Sequence, residues 1–270
     1  MNFKSFPILF LLGCSHTLSA QIDSLQTISL KPVEVSATRI TNSLLETTWS
    51  VSKLDFEQQQ DQMQQLTFSD YVQAVPGLFA LNSNNFSQDL RISIRGFGAR
   101  SAFGIRGIKI LVDGIPETTP DGQGQIDNLA LGSIASVEVI RGPSSLLYGN
   151  ASGGVISIQT KDVVEKNYIK PGLTLGRFGM ENLQIEAGVN RKNTTLIISA
   201  NKIKTNGYRS QSGFESSGIN ARIKHIISSK TDVNLVFNDT DSPVAVDPGG
   251  LDCDSVVENR QQARDRNVDY

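Results

Sequence analysis

Apolar and polar positions follow two different patterns along the chain, and the change falls near residue 170. From there onward, apolar and polar residues alternate in segments of about ten residues, which is typical of β-strands with two unlike faces. Residues 194–203 alternate less regularly. The three clean segments have these apolar faces: Leu183, Ile185, Ala187 and Val189; Ile219, Ala221, Ile223 and Ile227; Val233, Leu235 and Phe237. The pattern predicts antiparallel strands.

Residues 49–161 instead mix short helical and extended patterns, which is typical of an α+β domain. A strand is predicted over residues 89–96, and a helix over residues 69–77, with Ser69 as its N-cap and Pro76-Gly77 closing it. The other elements predicted before residue 137 are strands at 49–55 and at 108–112, an Asp113-Gly114 turn, and a short helix at 124–131.

The stretch VEVIRGPSSLLYGNASGGVISIQT, residues 137–160, predicts a strand, a short helix and a second strand. Pro143 suits the first helical position, where its missing N–H has no partner. Gly149 suits the helix C-terminus, and Gly153-Gly154 suits a bulge or a close backbone approach. The stretch contains no His and no Cys, so it indicates architecture rather than bond-making.

Two interpretations of the alternating strands stay open on the pattern alone: a half-exposed sheet of a soluble protein, and the wall of an outer-membrane β-barrel. Connection lengths favour the barrel, because the turns at 191–193 and 229–231 are short and the loop at 205–217 is long. The short connection at 176–181 is an exception. His225 also falls on the apolar face of its strand.

The N-terminus predicts export. Lys4 precedes an apolar run, and small and polar residues follow as far as Ala20, which predicts a signal peptide over residues 1–20. Residues 11–14 also resemble a bacterial lipoprotein box, so lipidation of Cys14 stays open beside cleavage after Ala20. After Ala20 no apolar run reaches the length of a membrane-spanning helix.

Composition excludes several function classes. A net charge of −2 provides no basic field for nucleic acid. Two cysteines and two histidines form no metal-site spacing. The sequence has no G-x-S-x-G, phosphate-loop or H-E-x-x-H motif. Asp113, Asp121 and Asp127 could be imagined as an acidic cluster, but Asp113-Gly114 is explained more simply as a turn. We therefore expect that the protein is not an enzyme.

Four segments carry a resemblance to a known family. Residues 66–161 resemble the plug domain of TonB-dependent outer-membrane receptors through DYVQAVPGL, ISIRGFG, ILVDGIP and SVEVIRGPSSLLYGNASGGVISIQTK. The resemblance implies an α+β plug domain at 49–161, then at 162–270 the first antiparallel strands, about five, of a transmembrane β-barrel. Because so few strands cannot close a barrel, we expect the sequence to be incomplete, as a fragment or a disrupted reading frame.

The resemblance also implies a role. It implies a receptor in the outer membrane of a Gram-negative bacterium that actively takes up a scarce nutrient, with a ferric siderophore or other iron chelate expected as ligand and no resident cofactor. Its partners would be TonB with its inner-membrane energising partners, outer-membrane lipid and the small-molecule metal chelate. The alternatives are a glycan, cobalamin or haem receptor of the same family, or a plug-like periplasmic binding module without transport.

Candidate site residues follow from the same resemblance. Within the extended segment 21–48, LKPVEVSAT resembles the TonB box, which would pair with TonB by strand addition. Its residues are Leu30, Lys31, Pro32, Val33, Glu34, Val35, Ser36, Ala37 and Thr38. Family arginines at the positions of Arg95 and Arg141 pair with barrel glutamates, which implies a plug–barrel latch. The candidate ligand-binding residues, in loops at 82–88, 98–106 and 117–125, are Asn84, Asn85, Arg100, Arg106, Asp121 and Gln123.

Overall fold

The computed structural model describes residues 33–37, 39, 41–60, 63, 66–81, 85–101 and 104–264. The predicted signal peptide and the box positions Leu30, Lys31, Pro32 and Thr38 lie outside the described residues, as does Asn84. Among the residues described, no helix is both long and apolar enough to cross a membrane.

Residues 33–161 form what we call the α+β domain. Its elements are β1 (Glu34–Val35), β2 (Asn42–Ser43), β3 (Val51–Asp55), α1 (Phe56–Gln60), α2 (Phe68–Val72), β4 (Leu78–Leu81), β5 (Arg91–Ile94), β6 (Ile105–Arg106), β7 (Ile108–Val112), β8 (Ile115–Pro116), β9 (Gln123–Gly124), a 3-10 turn (Leu131–Ser133), β10 (Ile134–Arg141), α3 (Ser145–Tyr148) and β11 (Gly154–Thr160). The central sheet has the order β3-β10-β11-β7-β8. The β11–β7 pair is parallel, and the other three pairs of neighbouring strands are antiparallel.

The core of this domain lies between the sheet and the two helices. β-Branched residues such as Ile110 and Ile156 are fully buried, because adjacent strands bring them into the same cluster as the helical aromatics. Phe56 of α1 stacks on Tyr71 of α2 with ring centroids 4.2 Å apart. A smaller apolar cluster contains Val51 of β3 and residues of the N-terminal segment.

The second part is the strand wall, five antiparallel strands in chain order, as the alternation predicts. Its strands are β12 (Tyr168–Leu175), β13 (Glu181–Arg191), β14 (Thr194–Thr205), β15 (Phe214–Ser228) and β16 (Thr231–Ala245), and α4 (Cys253–Glu258) follows. The connections at 192–193 and 229–230 are tight turns, whereas residues 206–213 form a longer loop.

The apolar face of the strand wall points away from the α+β domain. Leu183 and Ile185 are 59% and 52% exposed, whereas Asn182 and Arg222 on the polar face are 1% and 8% exposed. A soluble half-exposed sheet has the opposite arrangement, with its apolar face covered. The wall therefore has the lipid-facing apolar surface of a transmembrane barrel. His225 lies on that exposed face and hydrogen-bonds to Thr194, 2.8 Å away.

Three local predictions were wrong. The segment predicted as a helix at 124–131 is instead the end of β9, a turn and the start of the 3-10 helix, and within the turn the Asp127 carboxylate accepts the N–H of Leu90, 3.0 Å away. Helix α2 begins at Phe68, so its N-cap is Thr67 and not Ser69, which lies inside the first turn. Pro143 lies before the N-cap Ser144 rather than at the first helical position.

Candidate functional site

The box-like segment, residues 33–37, lies against the α+β domain. Glu34 pairs with Ser43 across the β1–β2 ladder, and the carbonyl oxygen of Val33 accepts the N–H of Leu44 at 2.7 Å. Val35 is 0% exposed and Ala37 3% exposed, because both enter the smaller apolar cluster. The sequence predicts an extended, solvent-reachable segment; Val35 is extended within β1 as predicted, but the predicted access to solvent is wrong for the side chains of Val35 and Ala37.

One buried carboxylate holds the end of this segment. Glu138 of β10 is 1% exposed, and its Oε2 accepts the backbone N–H of Ser36 at 2.8 Å and that of Ala37 at 2.7 Å. Lys53, its cross-strand neighbour in β3, places Nζ 3.4 Å from Glu138 Oε1. The same Nζ donates to the carbonyl oxygen of Glu34 at 2.8 Å. Charge-assisted hydrogen bonds of this kind are stronger than neutral ones.

A tyrosine closes the other side of the segment. The hydroxyl of Tyr148 donates to the carbonyl oxygen of Ala37 at 2.5 Å, and the Arg39 guanidinium lies 4.6 Å from the centre of the tyrosine ring. Burial raises the pKa of Tyr148, against the lowering effect of Arg39. The hydroxyl therefore remains a donor at neutral pH.

A first polar contact joins the α+β domain to the strand wall at the β7–β8 turn. Asp113 and Gly114 both have positive φ, 50° and 82°, as a type I′ hairpin requires. Asp113 accepts the N–H of Thr160 at 2.9 Å and its hydroxyl at 2.7 Å, and Arg222 Nη1 of β15 lies 3.1 Å from Asp113 Oδ2. Arg222 Nε also donates to Asn234 Oδ1 of β16 at 3.0 Å. The arginine thus binds the domain and the wall together.

A second contact lies just after β11. Lys161 Nζ is 2.7 Å from Glu186 Oε2 of β13 and donates to Gln60 Oε1 at 3.1 Å. Tyr168 of β12 donates to Glu186 Oε1 at 2.7 Å. None of these wall contacts is predicted from the sequence. The only signal in the sequence was the polar face of each strand. It indicated which wall residues face the α+β domain, but not which residues of that domain they contact.

A cavity of about 260 Å³ separates other parts of the domain and the wall. Gln60, Asp127 and Lys161 line it from one side, and Glu186 and Ser199 from the other. Burial raises the pKa of Asp127, against the lowering effect of its hydrogen bond from Leu90. The lining offers polar groups of both charges.

Contacts at residues 85–88 tie a loop of the domain to the chain after β16. Asn85 Nδ2 donates to Asp247 Oδ1 at 2.7 Å, and Gln88 Nε2 donates to Asp247 Oδ2 at 3.2 Å. Phe86 stacks on Phe214 at the start of β15, with ring centroids 4.6 Å apart. Of the predicted ligand-binding residues, Asn85 is therefore already engaged with another loop.

Three other predicted ligand-binding residues come together. Arg106 of β6 is the register partner of Gln123 of β9, and Gln123 Nε2 donates to Asp121 Oδ2 at 2.7 Å. Hydrogen bonds from Thr119 and Gln123 hold the pKa of Asp121 below its ordinary value. Arg100 is exposed in a separate turn after β5. The structure thus forms one compact polar group, and Asn85 and Arg100 lie outside it.

The two predicted latch arginines contact the α+β domain itself. Arg141 Nη1 donates to the carbonyl oxygen of Pro76 at 2.9 Å, and Arg95 Nη2 donates to Ser50 Oγ at 3.2 Å. Neither arginine forms an ion pair within the described part of the chain. Arg141 Nε is buried and has no hydrogen-bond partner among the described residues. The latch remains a prediction.

Residues 43–155 match the family described as TonB-dependent Receptor Plug Domain. The chain is 31% identical to the hemin receptor of Yersinia enterocolitica over 184 residues, 65% of this chain and 25% of that protein. It is 30% identical to the vitamin B12 transporter BtuB of Vibrio vulnificus over 129 residues, 47% of this chain and 20% of that protein. The chain thus spans a quarter or less of the length of these relatives.

Solved structures share the fold. The pyoverdine outer membrane receptor FpvA of Pseudomonas aeruginosa superimposes with a TM-score of 0.65 and 16% identity, over 77% of this chain and 30% of that chain. The ferric yersiniabactin uptake receptor FyuA of Yersinia pestis gives a TM-score of 0.54 and 22% identity, over 72% of this chain and 32% of that chain. At these identities the likeness concerns the fold.

Proposed function

We propose that the chain belongs to a TonB-dependent receptor for active uptake of a scarce nutrient, because residues 43–155 match the plug-domain family and the strand wall follows them. The proposed location is the outer membrane of a Gram-negative bacterium, as stated for the pyoverdine outer membrane receptor FpvA of Pseudomonas aeruginosa. The observation that carries the proposal is the orientation of the strand wall. Its apolar face points away from the α+β domain, whereas Glu186 and Arg222 on its other face form ion pairs with that domain. Strands of this kind form a transmembrane β-barrel with an apolar surface toward lipid and a polar interior, in which the α+β domain would lie.

We propose that the partner is TonB, acting with its inner-membrane energising partners. Residues 30–38 would pair with it by strand addition, in which backbone hydrogen bonds supply affinity with little demand on side chains. A pull on this segment acts directly on the plug domain, because Ser36 and Ala37 are hydrogen-bonded to Glu138 in the central sheet. No step of this mechanism needs a catalytic group, and we propose a receptor rather than an enzyme.

The proposed ligand is a ferric siderophore or other iron chelate. Arg100, in a turn, and Arg106, in β6, are exposed cations of the α+β domain, which suits capture of an anionic complex. Asp121 and Gln123 beside Arg106 would add hydrogen-bonding groups. Haem, cobalamin and glycans are the alternative ligands, and relatives named as hemin receptor and vitamin B12 transporter favour testing the first two.

The test is deletion of the gene in its own bacterium, followed by growth on ferric siderophores, hemin or cobalamin as limiting nutrient. We expect a defect on iron chelates, restored by the intact gene and not by a gene lacking the codons for residues 30–38. A defect on cobalamin or hemin alone would replace the ligand and keep the transporter. Unchanged growth on all of them, with the product found soluble in the periplasm, would favour a binding module without transport.

A further inference from the structure

A carboxylate from the chain after β16 is held by the loop at residues 85–88 of the α+β domain. Asn85 Nδ2 donates to Asp247 Oδ1 at 2.7 Å, and Gln88 Nε2 donates to Asp247 Oδ2 at 3.2 Å, so each carboxylate oxygen has its own amide donor. Phe86, which lies between the two amides in the sequence, stacks on Phe214 at the start of β15. The loop therefore binds one carboxylate and one aromatic ring that come from outside its own domain.

Residues 246–264, which we call the distal segment, present this carboxylate from a folded base. Asp247 Oδ1 also accepts the N–H of Gly249, 2.8 Å away. Arg209, in the loop after β14, donates from Nη1 to the carbonyl oxygen of Gly249 at 2.6 Å and from Nε to that of Gln262 at 3.0 Å. Because these contacts do not involve the α+β domain, they remain available to the distal segment when Asp247 leaves the 85–88 loop.

The 85–88 loop borders the compact polar group that contains three of the predicted ligand-binding residues. Asp89, which ends the loop, accepts through Oδ1 a hydrogen bond from the Gln125 side chain. Gln125 follows β9, whose Gln123 is the register partner of Arg106 in β6. The amide donors that hold Asp247 are thus neighbours of this polar group.

We propose that Asp247 is an internal competitor of the ligand: its carboxylate occupies the amide donors of Asn85 and Gln88, and a carboxylate of the ligand replaces it there on binding. The class of ligand that this site takes is an iron chelate with several carboxylates. The identity of the ligand rests on the proposed uptake of an iron chelate, whereas the carboxylate site itself stands on the geometry of the loop and the distal segment.

The need for several carboxylates follows from the strength of a tethered competitor. A group on a short tether reaches an effective concentration in the millimolar range at its own site. A ligand with a single carboxylate would therefore replace Asp247 only at millimolar concentration or above. A chelate with further carboxylates gains additional contacts with exposed cations such as Arg106, since arginine binds carboxylates through paired, charge-assisted hydrogen bonds. The competitor thus favours polycarboxylate chelates over chelates that have no free carboxylate.

Acetate tests the carboxylate site without any assumption about transport. The sample is detergent-solubilised full receptor with isotope-labelled asparagine and glutamine, in which Asn85→Ala and Gln88→Ala assign the two side-chain amide resonances by their loss. In Asp247→Ala, both resonances should move on titration with acetate to about 50 mM, which exceeds the millimolar range of a tethered group. Neutral acetamide should leave them in place, as should acetate added to the wild type. Resonances of Asp247→Ala that do not respond to acetate would overturn the site.

Equilibrium binding of ferric citrate to the same receptor tests the ligand class. Asp247→Ala removes the charge-assisted hydrogen bonds of the competitor, so it should bind ferric citrate about 10-fold tighter than the wild type. Asp254→Ala, on the first turn of α4, is the control and should bind it as the wild type does. Ferrioxamine B, a hydroxamate chelate without a free carboxylate, should gain nothing from Asp247→Ala.

A double-mutant cycle shows whether ligand and competitor use the same donors. Replacement of both Asn85 and Gln88 by alanine should weaken ferric citrate binding. Asp247→Ala added to that pair should then change the affinity no further, because the donors for which the two carboxylates compete are gone. A full 10-fold gain in the absence of both amides would contradict the competition.

The two measurements separate this inference from the proposed function. Resonances that respond to acetate, together with tighter binding of ferric citrate by Asp247→Ala, support both the site and its ligand class. A response to acetate with no ferric citrate bound by the wild type or the variant keeps the carboxylate site and contradicts a polycarboxylate iron chelate as its ligand. Equal affinity of the wild type and Asp247→Ala for ferric citrate contradicts the competitor, even where growth on iron chelates depends on the gene.

Discussion

Arg222 Nη1 lies 3.1 Å from Asp113 Oδ2, an ion pair that spans the boundary between the strand wall and the α+β domain. The side chains are 9% and 11% exposed, so neither charge is screened by bulk water. Thr160 and Asn234 complete the hydrogen bonds of the pair. The charges are exchanged relative to the predicted latch. In that latch the α+β domain contributes the arginine and the barrel the carboxylate, whereas here the wall contributes the arginine and the domain the carboxylate.

Removal of this arginine should loosen the seating of the domain. Arg222→Gln leaves the Asp113 carboxylate buried without its counter-charge, which typically costs about 3–5 kcal/mol. We expect the α+β domain to unfold at lower urea concentration, measured by hydrogen exchange of β7 and β11 in detergent-solubilised receptor. Lys202→Gln is the matched control, because Lys202 pairs with Glu215 on the same wall but is 60% exposed. Its effect on the urea midpoint should be much smaller, since solvent screens an exposed pair, and equal effects of the two variants would contradict the seating role.

Gly154 has no room for a side chain. Its φ is +143°, and an added Cβ would lie 2.2 Å from the carbonyl oxygen of Ile140 in the adjacent strand. Gly154→Ala should therefore destabilise the α+β domain by more than about 2 kcal/mol, measured as the urea midpoint of the same exchange signal. Gly250→Ala serves as the control, since nothing lies within 4 Å of its Cβ position. A urea midpoint of Gly154→Ala equal to that of the control would contradict this prediction, because it would mean that β10 and β11 can move apart enough to accept the added methyl group.

The secondary-structure elements are more predictable from the sequence than the contacts between them. The strand ending at Thr160 and the glycine termini around α3 follow from local pattern, because period-two alternation and positive φ are local properties. Glu138 was placed correctly in a strand, but its partners lie 101 and 102 positions earlier in the chain, at Ala37 and Ser36. No local pattern reports such a pairing.

The helix predicted at 124–131 is also affected by a contact that is distant in the sequence. Its composition permits a helix, but Gly124 belongs to β9 and Asp127 accepts the N–H of Leu90, 37 positions earlier in the chain. The local sequence does not report this contact with Leu90.

Acid should release the chain after β16 from the α+β domain. Burial alone would raise the pKa of Asp247, but hydrogen bonds from Gly249, Gln88 and Asn85, with the charge of Arg209, hold that pKa below its ordinary value of 3.8. A depressed carboxylate pKa stabilises the docked state at pH above the ordinary value, and this stabilisation is lost as pH falls below 3.8 through the depressed pKa.

Hydrogen exchange of residues 85–88 and 247–264 at pH 7 and pH 3 measures this release, after correction for the intrinsic pH dependence of exchange. We expect protection at pH 7 that falls at pH 3 in the wild type, and low protection at both pH values in Asp247→Asn. Asp254→Asn, on the exposed first turn of α4, should behave as the wild type. Equal protection of the wild type at both pH values would contradict a role for the Asp247 carboxylate in docking.

The predicted latch can be tested at Arg141. This arginine uses Nη1 on Pro76, while its buried Nε has no hydrogen-bond partner among the described residues. Because an unsatisfied buried donor on a charged group is costly, a further acceptor such as a barrel glutamate would be strongly favoured there. Arg141→Ala in the full receptor should therefore loosen the plug domain and raise outer-membrane leakage, measured as sensitivity to large antibiotics. Arg177→Ala, at an exposed turn position of the wall, is the control. Sensitivity equal to that of the wild type would mean that Arg141 acts through Pro76 alone.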